Sequence, residues 1–308
     1  MNMTTKPLLV LLIYISTYIY SCTAMAADTY FKPFILAQSV QSTDLNKVSA
    51  DVKTNIIKAG FEIVGEYSPV ETTHIVIISS PRLREYAEQS SNGVYGAVQR
   101  VSITVVNNET QVAFTNPTYM AHVYRMKTDL ADITQSLKAG LGFVKEYGSD
   151  KGLTKSELRD YQYKFMMPDF GDRLELADYP SQEKALKGVL KALQKNEGGV
   201  SKIYQVDLKG TQETLIGVSL KENKFSDCSS DKFIMNKIDF KKLKSSGHLP
   251  YEIIIQKGRV FALFAEFRIA ISFPDLSMMG DNSFFSIMCA PSTIKKALTL
   301  GVGGKPED

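Results

Sequence analysis

Apolar residues in this chain follow two spacings, and the switches between them mark the elements. In "STDLNKVSADVKTNIIKAGF" Leu45, Val48, Val52, Ile56 and Ile57 recur three and four apart. With capping residues at Ser42 to Asp44 and Gly60 as a stop, the stretch predicts an amphipathic helix. "FEIVGEY" and "THIVIIS" then read as strands, the second so uniformly apolar that it belongs in the middle of a sheet. Ser80-Pro81 opens a short polar helix through Gln89. "AVQRVSITVV" and "QVAFT" flank "NNET", whose asparagines suit the positive φ of a tight hairpin turn. "AFTNPTYMAHVYRM" passes from strand to helix at Asn116-Pro117. Proline's fixed φ and missing N–H fit a first helical turn, and Asn116 can cap it.

The second half repeats this order. Ser181 to Gln194 carries Ala185, Leu186, Val189, Leu190 and Leu193 on one side and stops before Gly198-Gly199. "VSKIYQVDL" and "ETLIGVSL" are strands, and "YEIII" with "VFALFAEFRIAISF" makes a hairpin turning at Gly258. Phe273-Pro274 then stands where Asn116-Pro117 stood, and Ala290-Pro291 opens a last helix. The helix starts are offset by 137 (181 minus 44) and the hairpin turns by 150 (258 minus 108). The expected fold is α+β: two tandem copies of a small helix-on-sheet module with mixed or antiparallel sheets, at 27–126 and 181–308, joined by a helical connector at 127–180. Within the connector "KTDLADITQSLKAGLGFVKEYG" reads as a helix, and Thr154 with Glu157 forms a capping box. Leu158, Tyr161, Tyr163, Phe165, Met166, Met167 and Phe170 make it too apolar for a free linker, so it is expected to pack on both modules.

Residues 1–26 break the pattern. Lys6, an apolar run from Leu8 to Tyr20 and Ala24-Met25-Ala26 predict a signal peptide, and so an exported chain in the periplasm or cell envelope. Ile19-Tyr20-Ser21-Cys22 offers the alternative of a lipoprotein with a lipid anchor at Cys22. No later stretch is long and apolar enough to span a bilayer. Export makes Cys228 and Cys289 candidates for a disulfide, with two separate buried thiols as the alternative. Lys and Arg total 36 against 33 Asp and Glu, so the net charge of +3 gives no general pull toward nucleic acid. The cluster Lys237, Lys241, Lys242 and Lys244 lacks interleaved aromatics and reads as a solvated face.

Candidate chemistry is sparse. His74, His122 and His248 lie far apart, and neither zinc spacing nor nucleophile elbow nor phosphate loop occurs, so no cofactor is expected. His122 and Met126, four apart, can face one way on a helix as a soft-metal ligand pair, or pack in a core. Asp169 and Asp172, with Glu175 and Asp178, can line a cation or ligand site, or serve as turn and cap residues. Arg268 either shares the solvent face of an apolar strand with Glu266 or grips a carboxylate inside a cleft.

"KFMMPDFGD", "GVSKIYQVDLKGTQETLIGVSL", "FFSIMCAPSTIKKAL" and "FTNPTYMAHVYRM", with the second hairpin, resemble bacterial exported proteins related to the domain of unknown function 302 family. That resemblance implies an α+β fold with helices packed on a small sheet and a strand-Asn-Pro-helix step, from which Phe273-Pro274 departs. It brings no established reaction, cofactor or catalytic residue. The expectation is an exported, non-catalytic protein that holds a small ligand or an envelope partner in the crevice between two modules, through residues such as His122, Arg268, Asp169 and Asp172. The alternative is a periplasmic metal-handling protein or enzyme that uses His122 and Met126 or the acidic connector.

Overall fold

The computed structural model describes residues 28–223 and 226–306, so the expected signal peptide and Cys22 lie outside the described residues. The chain begins with β1 (Tyr30–Phe31) and β2 (Phe34–Val40), then α1 (Leu45–Lys58), β3 (Glu62–Val70), β4 (Thr73–Ser79) and α2 (Pro81–Glu88). The hairpin of β5 (Gln99–Val106) and β6 (Glu109–Thr115) leads into α3 (Pro117–Val123). There follow α4 (Ala131–Leu141), β7 (Lys145–Tyr147), β8 (Leu153–Thr154), α5 (Lys155–Arg159) and β9 (Leu174–Asp178). Next come α6 (Gln182–Leu193), β10 (Val200–Leu208), β11 (Glu213–Leu220) and α7 (Asp231–Ile238). β12 (Tyr251–Gln256), β13 (Arg259–Ala262), α8 (Ala265–Ser272) and α9 (Ala290–Gly301) complete it.

The local signals explain these boundaries. Asp44 and Ser80 accept N–H bonds at the starts of α1 and α2, and the Thr154–Glu157 capping box is closed on both sides. Asn107 at φ 56° and Gly258 at φ 90° turn the two hairpins. All ladders are antiparallel. One sheet runs β3-β4-β5-β6-β2-β7, the other β10-β11-β12-β13-β9, and β1 pairs with β8 alone. Five strands of each sheet therefore follow the same order and are met along the chain in the same alternation with helices.

α1 and α4 pack on the first sheet, α6 and α9 on the second. The uncovered faces meet. Arg100, Ser102 and Thr104 share one face of β5 because side chains alternate along a strand, and the Thr104 hydroxyl bonds Ser246 of the second half at 3.2 Å. The contact is reciprocal: the turn at 93–96 packs on β11 and the turn at 246–248 on β5, while α2 touches β10 and α7 touches β3. Where the β3 and β10 edges cross, a Cβ on Gly65 would lie 2.7 Å from the Tyr204 Cβ and 2.9 Å from the Ile203 carbonyl oxygen, so the approach requires glycine. Among the described residues one apolar cluster runs through both halves, with a smaller one of Phe34, Leu36, Ala113 and Tyr147 packed against Leu243.

Several expectations need correction. "VFALFAEFRIAISF" is not one strand: β13 stops at Ala262 and α8 takes Ala265–Ser272. That helix is buried on nearly every side, so no polar stripe marks its 3.6-residue period and the run mimics a buried strand. Phe273-Pro274 consequently ends a helix instead of opening one. Asn116 occupies the N-cap position of α3 without a side-chain cap, its amide donating to the Lys32 carbonyl and to Glu146. Residues 127–180 serve both sheets, with β7 added to β2 and β9 to β13. Phe165 and Met166, expected to pack, are exposed.

Candidate functional site

Two polar features occupy the contact between the halves. The first is buried. β5 brings Arg100 and β12 brings Glu252 to facing positions, and the Glu252 carboxylate pairs with Arg100 and, at 3.1 Å, with Arg268 of α8. The Tyr204 hydroxyl donates to the same carboxylate at 2.7 Å. Arg268 also donates to the carbonyls of His248 and Pro250 and lies over the Tyr251 ring, 4.6 Å from its centroid. At 3%, 2% and 3% exposure, Arg100, Glu252 and Arg268 have surrendered nearly all hydration, so the carboxylate must hold both guanidiniums. Burial disfavours charge on Arg100, yet Glu252, with Tyr124 and Tyr204 adding to it, outweighs burial and the guanidinium pKa is raised.

The second feature is open. A cleft of about 600 Å³ lies between β7 with the turn after it and the segments 238–245 and 273–282. Gln111 of β6 pins one wall, donating to the Lys242 carbonyl and accepting from the Lys244 N–H, and the Tyr147 hydroxyl donates to the Lys244 carbonyl at 2.6 Å. The other wall is tied by Asp275, which accepts from the Ser149 hydroxyl at 3.0 Å and the Asp150 N–H at 2.6 Å. Ile238, Leu243, Phe273 and Leu276 provide apolar lining, and Lys32, Lys145, Lys241 and Lys242 stand around it. Lys32 donates to the Asp150 carbonyl, and Lys241 reaches Asp150 and Asp275 at 3.6 and 3.9 Å. The amines of Lys145 and Lys242, both exposed, have no ion-pair or hydrogen-bond partner among the described residues.

The expected site residues are scattered. His122 lines a separate recess of about 620 Å³ with Asp129, Lys155 and Arg159, its ring edge-on to Phe31 at 5.2 Å. Burial and then Lys155 depress its pKa, which favours the neutral ring. α3 ends before Met126, Arg125 turns through a φ of 51°, and Met126 sits in the core with its sulfur over Gly96. The two therefore do not form an i, i+4 pair on one helix. Asp172 accepts from the Asp169 N–H, and Asp169 from the Gly171 N–H, which is turn chemistry. Arg268 does grip a carboxylate, but the carboxylate is the protein's own Glu252, and the grip is made from a helix. Cys228 and Cys289 are joined as a disulfide, their Cα atoms 6.0 Å apart. Among the described residues no group of three or more His, Cys, Asp or Glu is arranged to hold a metal ion, and no helix is long and apolar enough to cross a membrane.

Sequence reasoning missed Glu252, Lys32 and Lys145, and it read Lys241 and Lys242 as part of a solvated face when they line the cleft. A lone glutamate in "YEIII" and a lone arginine in "AVQRVSITVV" were visible as charges in apolar strands, but nothing in one strand announces the charge in the other. Lys32 and Lys145 approach Lys241 and Lys242 only through the packing of the halves.

Buried carboxyls and imidazoles set a pH dependence. Burial raises Asp231 and Asp239 from 3.8 to about 7. It pushes His248 well below 6.5, with Arg268 and Arg100 adding to the effect. Below about pH 6.5 the unfolded chain binds protons at His248 and His122 that the folded chain refuses, which offsets the protons the folded chain keeps on the two aspartates. Above that pH the imidazole contribution fades, and the folded carboxyls still have protons to lose as pH rises through about 7. Unfolding free energy is therefore expected to fall by about 1–2 kcal/mol between roughly pH 6.5 and pH 8.5. Urea titrations at the two pH values check this, and equal or greater stability at the higher pH would contradict it.

Searches of family models, curated proteins and solved structures return no match to this chain.

Proposed function

We propose that this chain is an exported, non-catalytic binding protein made of two copies of one helix-on-sheet module, and that it takes an amphipathic organic anion in the cleft between them. The shared strand order of the two sheets supports the duplication. The disulfide and the lack of a membrane-crossing helix among the described residues are compatible with export. The observation that carries the reading is the cleft itself: about 600 Å³, walled from both halves, partly apolar, with the exposed Lys145 and Lys242 unengaged among the described residues. That volume suits a small organic ligand, and apolar lining with a few polar groups is the usual composition of such sites. The lining carries Glu146, Asp150, Asp239 and Asp275 beside the four lysines, but each of these carboxylates is already paired or hydrogen-bonded within the protein, so the unengaged Lys145 and Lys242 favour negative charge and Ile238, Leu243 and Phe273 an apolar body.

The fluorescent anion anilinonaphthalene sulfonate serves as the probe. It is expected to bind the folded chain saturably, and Lys145→Glu with Lys242→Glu should weaken it by roughly ten-fold, on the order of 1.4 kcal/mol. Both lysines are exposed, so folding should survive the change. Unchanged affinity in the double variant would refute the cleft as the anion site.

A further inference from the structure

A second groove, of about 490 Å³, lies beside α9 and shares the 276–285 loop with the cleft, though no lining residue. Met167, Met278, Met279 and Met288 all line it. Methionine is ordinarily a buried side chain, and Met120 and Met126 of this chain are 3% and 2% exposed. Met278, Met279 and Met288 are instead 41%, 69% and 66% exposed. They are held on a constrained backbone. The loop carrying Met278 and Met279 folds back on itself, with the Phe284 N–H bonded to the Ser277 carbonyl at 3.0 Å and the Phe285 N–H to the Met278 carbonyl at 3.1 Å. Met288 immediately precedes Cys289, which the disulfide ties to Cys228.

Four thioethers on one groove have a chemical meaning beyond apolar area. A thioether is a neutral, soft donor that favours Cu+ over hard or borderline divalent ions. Thiolates would outcompete it, but Cys228 and Cys289 are spent in the disulfide. Among the described residues Glu266 is the one carboxylate on the groove lining, where Lys295 also stands, so hard donors do not dominate there. We propose that this groove is a site for a soft monovalent cation, Cu+ or its analogue Ag+, ligated by the sulfurs of Met278, Met279 and Met288 with Met167 as a fourth donor. Binding is simple coordination, with no change of oxidation state. Its lining residues are distinct from those of the anion cleft, although Met278 and Met279 lie on the loop whose Ser277 and Asn282 line that cleft.

Methionine-methyl NMR of the full chain with its disulfide intact, titrated with Ag+, tests the assignment. The Met278, Met279 and Met288 methyl signals should shift and saturate together while those of Met120 and Met126 stay in place, and Zn2+ should move none of them. Met278→Leu/Met279→Leu/Met288→Leu keeps the apolar surface and removes three sulfurs, so it separates a metal site from a surface that docks an apolar partner. It should weaken Ag+ retention in equilibrium dialysis by roughly ten-fold or more. Absence of saturable shifts, or retention unchanged in the triple variant, would overturn the proposal. Should that variant fold poorly, the methyl shifts of the unmodified chain decide alone.

Discussion

Glu252→Gln is expected to destabilise the chain by about 3–5 kcal/mol, the range for removing one partner of a buried ion pair. The reason lies in what the substitution leaves behind. Arg100 and Arg268 remain, each 3% exposed, on elements from different halves of the molecule, and a neutral amide satisfies neither charge. Tyr204 loses a charged acceptor as well, although the amide oxygen can still take its hydroxyl proton. The cost is thus one of uncompensated burial, not the net worth of the pair. Removing all three charges together therefore discriminates: Arg100→Leu/Glu252→Leu/Arg268→Met should recover much of the loss, because well-packed apolar replacements of a buried charge cluster are often neutral or stabilising. Urea denaturation of the three proteins measures both effects. A penalty below about 1 kcal/mol for Glu252→Gln would mean that water reaches the cluster and that the two sheets do not close over it.

How much of this was legible beforehand depended on whether a residue's role is local. α1 and α6 declared themselves because Val48, Val52 and Ile56, and Ala185, Val189 and Leu193, face a sheet while their neighbours face solvent. The hairpins were equally plain, since Asn107 and Gly258 supply positive φ between alternating strands. α8 was hidden for the opposite reason: burial of Phe267, Arg268, Ile269, Ala270 and Ile271 together erases the polar stripe that distinguishes a helix from a buried strand. That error also misplaced Arg268, whose partner Glu252 lies 16 residues away on another element. The cleft was beyond reach, because Lys145 and Lys242 meet across it only once Gln111 and Tyr147 have pinned the 242–244 segment to the first sheet. Residue patterns reveal what one element buries, and the cleft here is made by what two halves leave unfilled.

Replacing Cys228 and Cys289 by serine is expected to cost about 4 kcal/mol, by loop-closure entropy for a cross-link between residues 61 apart. The enclosed chain includes α7, the β12–β13 hairpin and α8, so the bond ties the segment before α7 to the N-cap of α9 around two of the second sheet's five strands. Neither cysteine is buried, so serine places no unsatisfied hydroxyl in the core, and the loss reports the cross-link itself. If the effect resides in the unfolded chain, the variant should unfold with a steeper urea dependence, because the uncrosslinked chain expands and exposes more surface. A lower midpoint with an unchanged slope would instead place the loss in the folded state, where release of Cys289 loosens the start of α9. Loss of less than about 1 kcal/mol, by either route, would show that the hairpin and the helices around it hold together without the bond.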